Sequence, residues 1–285
     1  MRKNNFPEYA IFCDFDGTIT AEDTFTGMLK AVAPHLCDQY LPDIYAQKLT
    51  LREGVRQIIE SIPSQYYSQM IDYVDGIPLR PGFVELVKFA LINEIPFHVV
   101  SGGLKDMVER VLSQQKLGNR SLLEQVASIS AVAIDTSQDY LQAISDYEGG
   151  TELVAKVDVM KQYPARKTIS IGDSITDLNI ALNANISFAR DRLARYLDAA
   201  ERFYYPWDDF FTVQEQLTQL FAAEETVQSN PEGFKGAMWQ REFLCAIAPI
   251  VIYAGTLSTN WRNRSNAAVW AKFRGRSEIP SKRDW

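Results

Sequence analysis

The sequence predicts an α/β fold: a Rossmann-like, mostly parallel sheet with helices on both faces and a small α-helical cap inserted after the first strand. Three observations predict it. Short apolar runs of strand length recur along the chain, and segments with helical periodicity separate them. One stretch, residues 21–80, carries helical patterns and no convincing strand pattern.

The predicted strands are continuous apolar runs, which are typical of parallel strands buried on both faces. They lie at Tyr9–Cys13, 95–100, 168–171 and 186–189. The helical segments between them lie at 83–91, 156–163 and 178–184. Residues 135–146 fit either a hairpin or a loop, and the sequence does not decide between them.

The cap is expected at residues 21–80, which leaves residues 1–20 and 81–228 for the core. Within the cap, Thr50 and Glu53 have the spacing of a capping box and precede an apolar helical face. A separate C-terminal extension is expected at 229–285, which holds nine basic and four acidic residues and four of the five Trp. This extension fits a partner-binding segment, a membrane-surface segment or an unpacked tail.

Composition excludes several classes of protein. The chain has 285 residues, 46% hydrophobic and 23% charged, which excludes wholesale disorder. Its net charge of -7 argues against nucleic-acid binding, which needs clustered Lys and Arg. Its longest apolar run, 243–257, is shorter than a membrane span. Three cysteines without disulfide or zinc spacing, and no signal-peptide pattern, indicate a cytoplasmic protein.

Acidic and hydroxyl side chains follow three of the predicted strands. Asp14 and Asp16 follow the first strand, Ser101 and Gly102 follow the second, and 173–177 follows the third. Paired carboxylates suit nucleophilic and acid-base catalysis, and a hydroxyl with glycine amides before a helix suits phosphate oxygens. Each motif alone also fits a helix cap or a turn. Because parallel strands end at one edge of a sheet, all three are expected to meet there.

Two further residue types support this interpretation. Asp173 and Asp177 lie four residues apart at a turn into a helix, where both can face one hard cation such as Mg²⁺. Lys156 begins a predicted helix and suits the charge of a transferring phosphoryl group, with Lys161, Arg166 and Lys167 as rivals for that role. A solvated lysine is the alternative for all four.

The ordered set DFDGT at 14–18, SGG at 101–103, Lys156 and GDSITD at 172–177 resembles the haloacid-dehalogenase-like phosphatase superfamily. The resemblance covers about residues 8–220. Other stretches resemble one branch of that superfamily, among them REGV at 52–55, LRPGF at 79–83 and FARD at 188–191. The predicted insertion resembles the small helical cap of such enzymes.

The resemblance implies roles for particular residues. Asp14 would be the nucleophile that forms an aspartyl-phosphate, and Asp16 the general acid and base. Ser101, Gly102 and Lys156 would bind the phosphoryl group. The implied Mg²⁺ site comprises Asp14, Phe15, Asp16, Asp173 and Asp177, with the Phe15 carbonyl as a ligand and Asp177 orienting the others.

The resulting hypothesis is a Mg²⁺-dependent phosphatase acting on a small phosphorylated metabolite. One alternative is a relative acting on phosphoserine or another small metabolite. A different class is a catalytically silent binding protein that recruits a partner through its C-terminal extension. His98 is expected to be a packed core residue, whereas Arg52, Arg56 and Arg80 fit either substrate contact or a surface role.

Overall fold

A seven-stranded sheet organises the chain, in the strand order β6-β5-β2-β1-β7-β8-β9. The computed structural model describes residues 6–46 and 48–229. The sheet strands are β1 (Tyr9–Cys13), β2 (Phe97–Leu104), β5 (Ser128–Asp135), β6 (Gln142–Ile144), β7 (Lys167–Gly172), β8 (Ile186–Ala189) and β9 (Tyr205–Pro206). All pair in parallel except β6, which runs antiparallel to β5. A separate two-stranded ribbon joins β3 (Lys116–Leu117) to β4 (Arg120–Ser121).

Helices lie between the parallel strands, as the crossover connections of a parallel sheet require. In chain order they are α1 (Thr24–Val32), α2 (Pro34–Tyr45), α3 (Leu51–Glu60), α4 (Tyr67–Asp72), α5 (Phe83–Ile92), α6 (Lys105–Gln114), α7 (Lys156–Gln162), α8 (Leu178–Asn183), α9 (Asp191–Ala199) and α10 (Phe210–Ser229). The middle of the sheet forms the core, because β1 and its neighbour β2 are almost wholly buried.

The predicted fold class is confirmed. β1 and β8 have the predicted bounds, and the undecided segment 135–146 contributes the turn and second strand of a β5–β6 hairpin. β2 differs from its prediction because it continues past Val100 to Leu104, with a break in its register to β5. Helix α6 therefore begins at Lys105, four residues after Ser101.

The segment predicted as a cap contains helices α1 to α4. The capping box is confirmed: the Glu53 amide donates to Thr50 Oγ1 at 3.1 Å, and the Thr50 amide donates to the Glu53 carboxylate at 3.0 Å. The chain leaves and re-enters the core side by side, because Thr20 and Leu79 form an antiparallel bridge. The division into core and cap at 21–80 stays a prediction.

Two predictions concern membranes and the C-terminal extension. Within residues 6–46 and 48–229, none of the helices combines the length and the hydropathy that a membrane span needs. The extension predicted at 229–285, including Cys245 and the apolar run at 243–257, lies outside the described residues apart from Ser229, the last residue of α10.

Candidate active site

The loop after β1 carries the predicted nucleophile. Asp14 follows the last residue of the strand, and its amide donates to the Ile171 carbonyl of β7 at 3.0 Å. Gly17 turns the loop with φ of +75°, a conformation that residues with a Cβ rarely adopt. A Cβ on Gly17 would also stand 2.8 Å from Asp173 Oδ2. Glycine is therefore required twice at this position, for the turn and for the close approach of Asp173.

The Phe15 carbonyl is used inside the same loop. It accepts hydrogen bonds from the Thr20 amide at 3.0 Å and from Thr20 Oγ1 at 3.1 Å. Thr20 is completely buried, so these bonds close the turn away from water. These contacts support a structural role for the Phe15 carbonyl and give no support to its prediction as a metal ligand.

Three carboxylates meet at the sheet edge: oxygens of Asp14, Asp173 and Asp177 all lie within 4.8 Å of one another. Lys156 enters from the start of α7, and its Nζ donates to Asp14 Oδ1 at 2.5 Å and to Asp177 Oδ1 at 2.6 Å. The Lys156 side chain is only 2% exposed. Of the four basic residues considered from the sequence, Lys156 is thus the one that lies against the predicted nucleophile.

Asp177 holds the turn on which Asp173 lies. Its Oδ2 accepts from the Asp173 and Ser174 amides, both at 3.1 Å, while its Oδ1 accepts from Lys156. Gly172 makes room for this carboxylate, since a Cβ there would stand 2.4 Å from Asp177 Cγ. Asp173 is oriented from the other side by Thr18 Oγ1, which donates to its Oδ1 at 2.9 Å. The orienting role of Asp177 toward a metal ion stays a prediction, and these hydrogen bonds support it.

Asp16 lies apart from the acidic cluster and has its own hydrogen-bonding partners. Its Oδ1 accepts from the Thr24 hydroxyl and from the Phe25 amide, the latter at 2.9 Å, and its Oδ2 accepts from Ser101 Oγ at 3.2 Å. Burial raises the pKa of Asp16 to about 6, and the hydrogen bond from Thr24 opposes that rise. A carboxyl group with this pKa exchanges its proton readily near neutral pH, as a general acid and base must.

Ser101 and Gly103, at the end of β2, lie against Asp16 of the nucleophile loop. Ser101 Oγ accepts from the Gly103 amide at 2.9 Å, which aims its own proton at Asp16. A Cβ at Gly103 would stand 2.7 Å from Asp16 Oδ2, so a larger residue there would displace the Asp16 carboxylate. At Gly102, by contrast, the Cβ direction is open among the described residues. Because β2 extends to Leu104, these residues belong to the strand end and not to the N-terminus of α6.

The cluster carries more negative charge than its lysine offsets. Burial and then the neighbouring Asp177 carboxylate raise the pKa of Asp14 well above its usual range, although Lys156 opposes the rise. The same two causes raise the pKa of Asp173 to about 7. Burial disfavours the Lys156 ammonium, but Asp14 and Asp177 outweigh it and raise the pKa of Lys156 above its ordinary value. Hard oxygen ligands with unbalanced negative charge are the donor set that divalent cations such as Mg²⁺ prefer.

The structure therefore brings six of the eight predicted site residues into two groups. Asp14, Lys156, Asp173 and Asp177 form the acidic cluster, and Asp16 with Ser101 forms a hydrogen-bonded pair beside it. The Asp16 carboxylate is held by hydroxyl and amide donors, so these contacts give no support to its inclusion among the metal ligands.

Two groups hold the site in ways that the sequence did not indicate. Thr24, from the predicted cap, donates to Asp16, and only its position just after the first motif could have indicated this. Arg80 reaches the nucleophile loop, where its Nε donates to the Thr18 carbonyl at 3.0 Å and its Nη2 donates to the Gly17 carbonyl at 2.5 Å. The one signal for Arg80 in the sequence was the LRPGF stretch at 79–83, which left open whether Arg80 contacts substrate or has a surface role.

Other candidates lie away from the chemistry. The prediction for His98 is confirmed: it is 4% exposed and stacked between Phe12 and Tyr163, with ring-centroid distances of 4.9 and 4.4 Å. Arg56 pairs with Glu148 at 2.6 Å on the outer side of α3. These contacts give neither residue a part in the acidic cluster.

Sequence comparison assigns the class of the protein. A sequence model of the haloacid dehalogenase-like hydrolases matches residues 11–182, and the chain belongs to this family. The chain is 49% identical, over 207 residues, to a 2-hydroxy-3-keto-5-methylthiopentenyl-1-phosphate phosphatase of Microcystis aeruginosa strain NIES-843; the match covers 73% of this chain and 96% of that protein. A protein of the same name from Bacillus cytotoxicus is 31% identical over 218 residues, covering 74% of this chain and 96% of that one.

Solved structures show the same fold at low sequence identity. A phosphoserine phosphatase from T. onnurineus has a TM-score of 0.55 at 13% identity, covering 75% of this chain and 96% of that one. A phospho-aspartyl intermediate analogue of phosphoserine phosphatase has a TM-score of 0.53 at 15% identity, covering 75% and 99%. The predicted superfamily and the prediction that the chain is an enzyme are both confirmed.

Proposed function

We propose that the protein is a Mg²⁺-dependent phosphomonoester hydrolase that acts through an aspartyl-phosphate, with 2-hydroxy-3-keto-5-methylthiopentenyl-1-phosphate of methionine salvage as its substrate. One observation carries the chemistry. A buried carboxylate at the end of β1, Asp14, is paired with Lys156 and faces Asp173, while a second carboxyl group of raised pKa, Asp16, lies two residues away. The named relatives support the substrate.

In the first half-reaction, an Asp14 carboxylate oxygen attacks the substrate phosphorus and the bond from phosphorus to the substrate oxygen breaks. Asp16 gives its proton to that leaving oxygen, so an alcohol or enol departs. Lys156, with its raised pKa, remains an ammonium and offsets negative charge on the transferred group. We propose that the Ser101 side chain and the Gly102 backbone, at the end of β2, contact the phosphoryl oxygens.

In the second half-reaction, Asp16 takes a proton from water, and the water oxygen attacks the phosphorus of the aspartyl-phosphate. The bond between phosphorus and the Asp14 oxygen breaks, which releases inorganic phosphate and restores both carboxyl groups. The hydrogen bonds from Thr24 and Phe25 keep Asp16 in place through both steps. One side chain thus serves as acid and then as base, as its intermediate pKa allows.

The acidic cluster fits the proposed Mg²⁺. Asp14 and Asp173 are the proposed side-chain ligands. Asp177 orients Asp173, because it accepts hydrogen bonds from the backbone amides of Asp173 and Ser174. The raised pKa values of Asp14 and Asp173 reflect charge that a divalent cation would balance. When bound, the ion supplies positive charge that neutralises the phosphoryl oxygens and aligns them with the nucleophile.

The space beside the acid favours a substrate with an apolar end. Phe25 is half-buried, and its Cβ lies 3.5 Å from where a Cβ on Gly103 would stand. Its backbone amide holds Asp16, so its position relative to the reacting groups is fixed. An apolar ring there suits a methylthio group better than the ammonium and carboxylate of phosphoserine, which need charged partners when they leave water.

The test is a comparison of kcat/KM for the methylthio enol phosphate and for phosphoserine, with Mg²⁺ and after treatment with EDTA. We expect at least a roughly tenfold preference for the first, equivalent to about 1.4 kcal/mol of transition-state binding. Equal rates, or a preference for phosphoserine, would remove the substrate proposal and keep the phosphatase chemistry. Absence of hydrolysis of any phosphomonoester would instead favour the silent binding protein.

The proposal also covers the domain division, the cellular location and the C-terminal extension. We assign the core to 1–20 and 81–228 and the cap to 21–80, which the Thr20–Leu79 bridge at the junction supports. A cytoplasmic location is supported by the free, buried thiols of Cys13 and Cys37. The proposed partner-binding role of the extension depends on its charge and Trp content alone.

A further inference from the structure

Arg80, Trp207 and Arg190 lie together at the carboxyl edge of the sheet, outside the catalytic groups. Arg190 directly follows β8, and Trp207 directly follows β9. Both guanidinium groups lie over the Trp207 indole, with Cζ 5.4 Å from the ring centroid for Arg80 and 5.2 Å for Arg190. Trp207 is 3% exposed, so the ring is enclosed in the fold. We call these three side chains the Arg–Trp–Arg cluster.

The cluster is hydrogen-bonded to both loops that carry the proposed metal ligands. On one side, Arg80 donates to the carbonyls of Gly17 and Thr18, in the loop that begins at Asp14. On the other, Trp207 Nε1 donates to the Gly172 carbonyl at 3.4 Å, immediately before Asp173. Arg190 extends the network, since its Nη1 donates to the Asp208 carbonyl at 2.8 Å, next to Trp207.

We propose that the Arg–Trp–Arg cluster is a positioning device that fixes the spacing between Asp14 and Asp173, and thereby sets the affinity of the site for Mg²⁺. Only arginine can serve at position 80, because its planar fork binds two carbonyls while its face stacks on an aromatic ring. Lysine has the same charge but neither the fork nor the planar face. The inference rests on the proposed function only for the identity of the cation.

The sign of the effect separates positioning from electrostatics. The Arg80 charge lies near the acidic cluster, close enough for Asp173 to favour its charged form. If Arg80 acted through charge alone, removing it would make the site more negative and would tighten Mg²⁺ binding. If it acts by holding the loops, Mg²⁺ binding weakens. Substitution of groups that orient metal ligands costs roughly 10- to 100-fold in affinity.

The experiment measures Mg²⁺ binding by isothermal titration calorimetry on the full chain, freed of metal with EDTA and without substrate. We expect Arg80→Lys and Arg80→Met each to raise the dissociation constant for Mg²⁺ by about tenfold or more. Trp207→Phe, which loses the indole donor, should raise it less. Arg110→Lys is the matched control, because Arg110 forms a comparable two-point pair with Asp75 on the surface and is expected to bind as the wild type does.

A second measurement distinguishes positioning from general damage to the fold. The Mg²⁺ concentration that gives half of the variant's own maximal rate should rise for Arg80→Lys, whereas a folding defect lowers the rate at every Mg²⁺ concentration without moving that midpoint. If Arg80→Lys does not fold, Trp207→Phe carries the test. Unchanged or tighter Mg²⁺ binding in the variants that fold, or no Mg²⁺ binding by the wild type, overturns the inference. If the wild type binds Mg²⁺ but has no phosphatase activity, and the variants bind Mg²⁺ more weakly than it does, the inference is supported while the proposed function is refuted.

Discussion

Replacement of Lys156 by methionine removes the positive charge from the acidic cluster and keeps the length of the side chain. In the wild type, the Lys156 ammonium bonds to Asp14 and Asp177, and these three side chains are 2%, 5% and 2% exposed. Removing one partner from a buried ion pair costs about 3–5 kcal/mol, because the other charge is left buried and unpaired. That is a large part of the roughly 5–15 kcal/mol that stabilises a typical domain.

The size of this loss should depend on pH and on metal. Without Lys156, burial and Asp177 still raise the pKa of Asp14, so the folded variant binds more protons than the unfolded chain above about pH 4. Its stability relative to wild type should therefore fall as pH rises from 5 to 8. Mg²⁺ supplies positive charge to the same carboxylates and should restore part of the loss.

The assay is urea unfolding of Lys156→Met at pH 5 and pH 8, in EDTA and in Mg²⁺. Lys161→Met is the matched control, because Lys161 lies on the same helix, is 70% exposed and, within the described part of the chain, pairs with the exposed Asp158. We expect the control to change stability by less than about 0.5 kcal/mol. A loss below about 1 kcal/mol for Lys156→Met at pH 8 in EDTA, with an unchanged m-value, would refute the view that this pair stabilises the fold.

Other substitutions test the chemistry, the packing and the extension. Asp14→Asn keeps the side-chain shape but removes the anionic nucleophile, so kcat should fall by several orders of magnitude with an unchanged circular-dichroism spectrum. The control is Asp158→Asn, at an exposed residue, which should not affect kcat. If Asp14→Asn keeps a tenth of the wild-type rate, the aspartyl-phosphate is excluded. Burial lowers the pKa of His98 to about 4, so the unfolded chain binds more protons than the folded chain between about pH 6.5 and 4. The free energy of unfolding should therefore fall by up to about 3 kcal/mol as pH drops through that window. A His98→Phe variant that shows the same pH dependence would contradict this cause. Truncation after Ser229 should leave activity and Tm largely unchanged, because about a quarter of this chain has no counterpart in a relative matched over 96% of its length; aggregation or loss of activity would show that the extension packs on the enzyme.

Local patterns were sufficient for the parts of the fold that depend on burial alone. β1 and β8 are continuous apolar runs, and their predicted bounds agree with the structure. The extension of β2 through Gly102 was not predictable in this way, because glycine weakens strand preference and the pairing with β5 decides where the strand ends. β5 was not among the predicted strands: only two of its eight residues, Ser130 and Val132, are buried, and its edge partner β6 is three residues long.

The acidic and hydroxyl groups of the candidate site were predictable because each follows a strand at the same sheet edge, which topology alone brings together. Their division between the acidic cluster and the Asp16–Ser101 pair was not predictable, since it depends on where each carboxylate finds donors. Asp16 and Asp14 are two residues apart, yet Asp16 is bound by Thr24 and Asp14 by Lys156. The role of Arg80 likewise depends on Trp207, a contact across 127 positions of sequence that no local pattern reveals.

The place where the helical insertion joins the core limits how such an enzyme can be re-engineered. Thr20 and Leu79 are bridged, so the insertion's two ends lie about one strand spacing apart, near 4.8 Å, and a short turn could replace everything between them. Thr24 and Phe25, however, belong to the excised segment, and both hold Asp16. A graft that begins at residue 21 would keep Asp14 and Asp16 but lose the two hydrogen bonds that orient the Asp16 carboxylate. Exchange of insertions between relatives must therefore begin after Phe25, so that the first turn of α1 is inherited with the core.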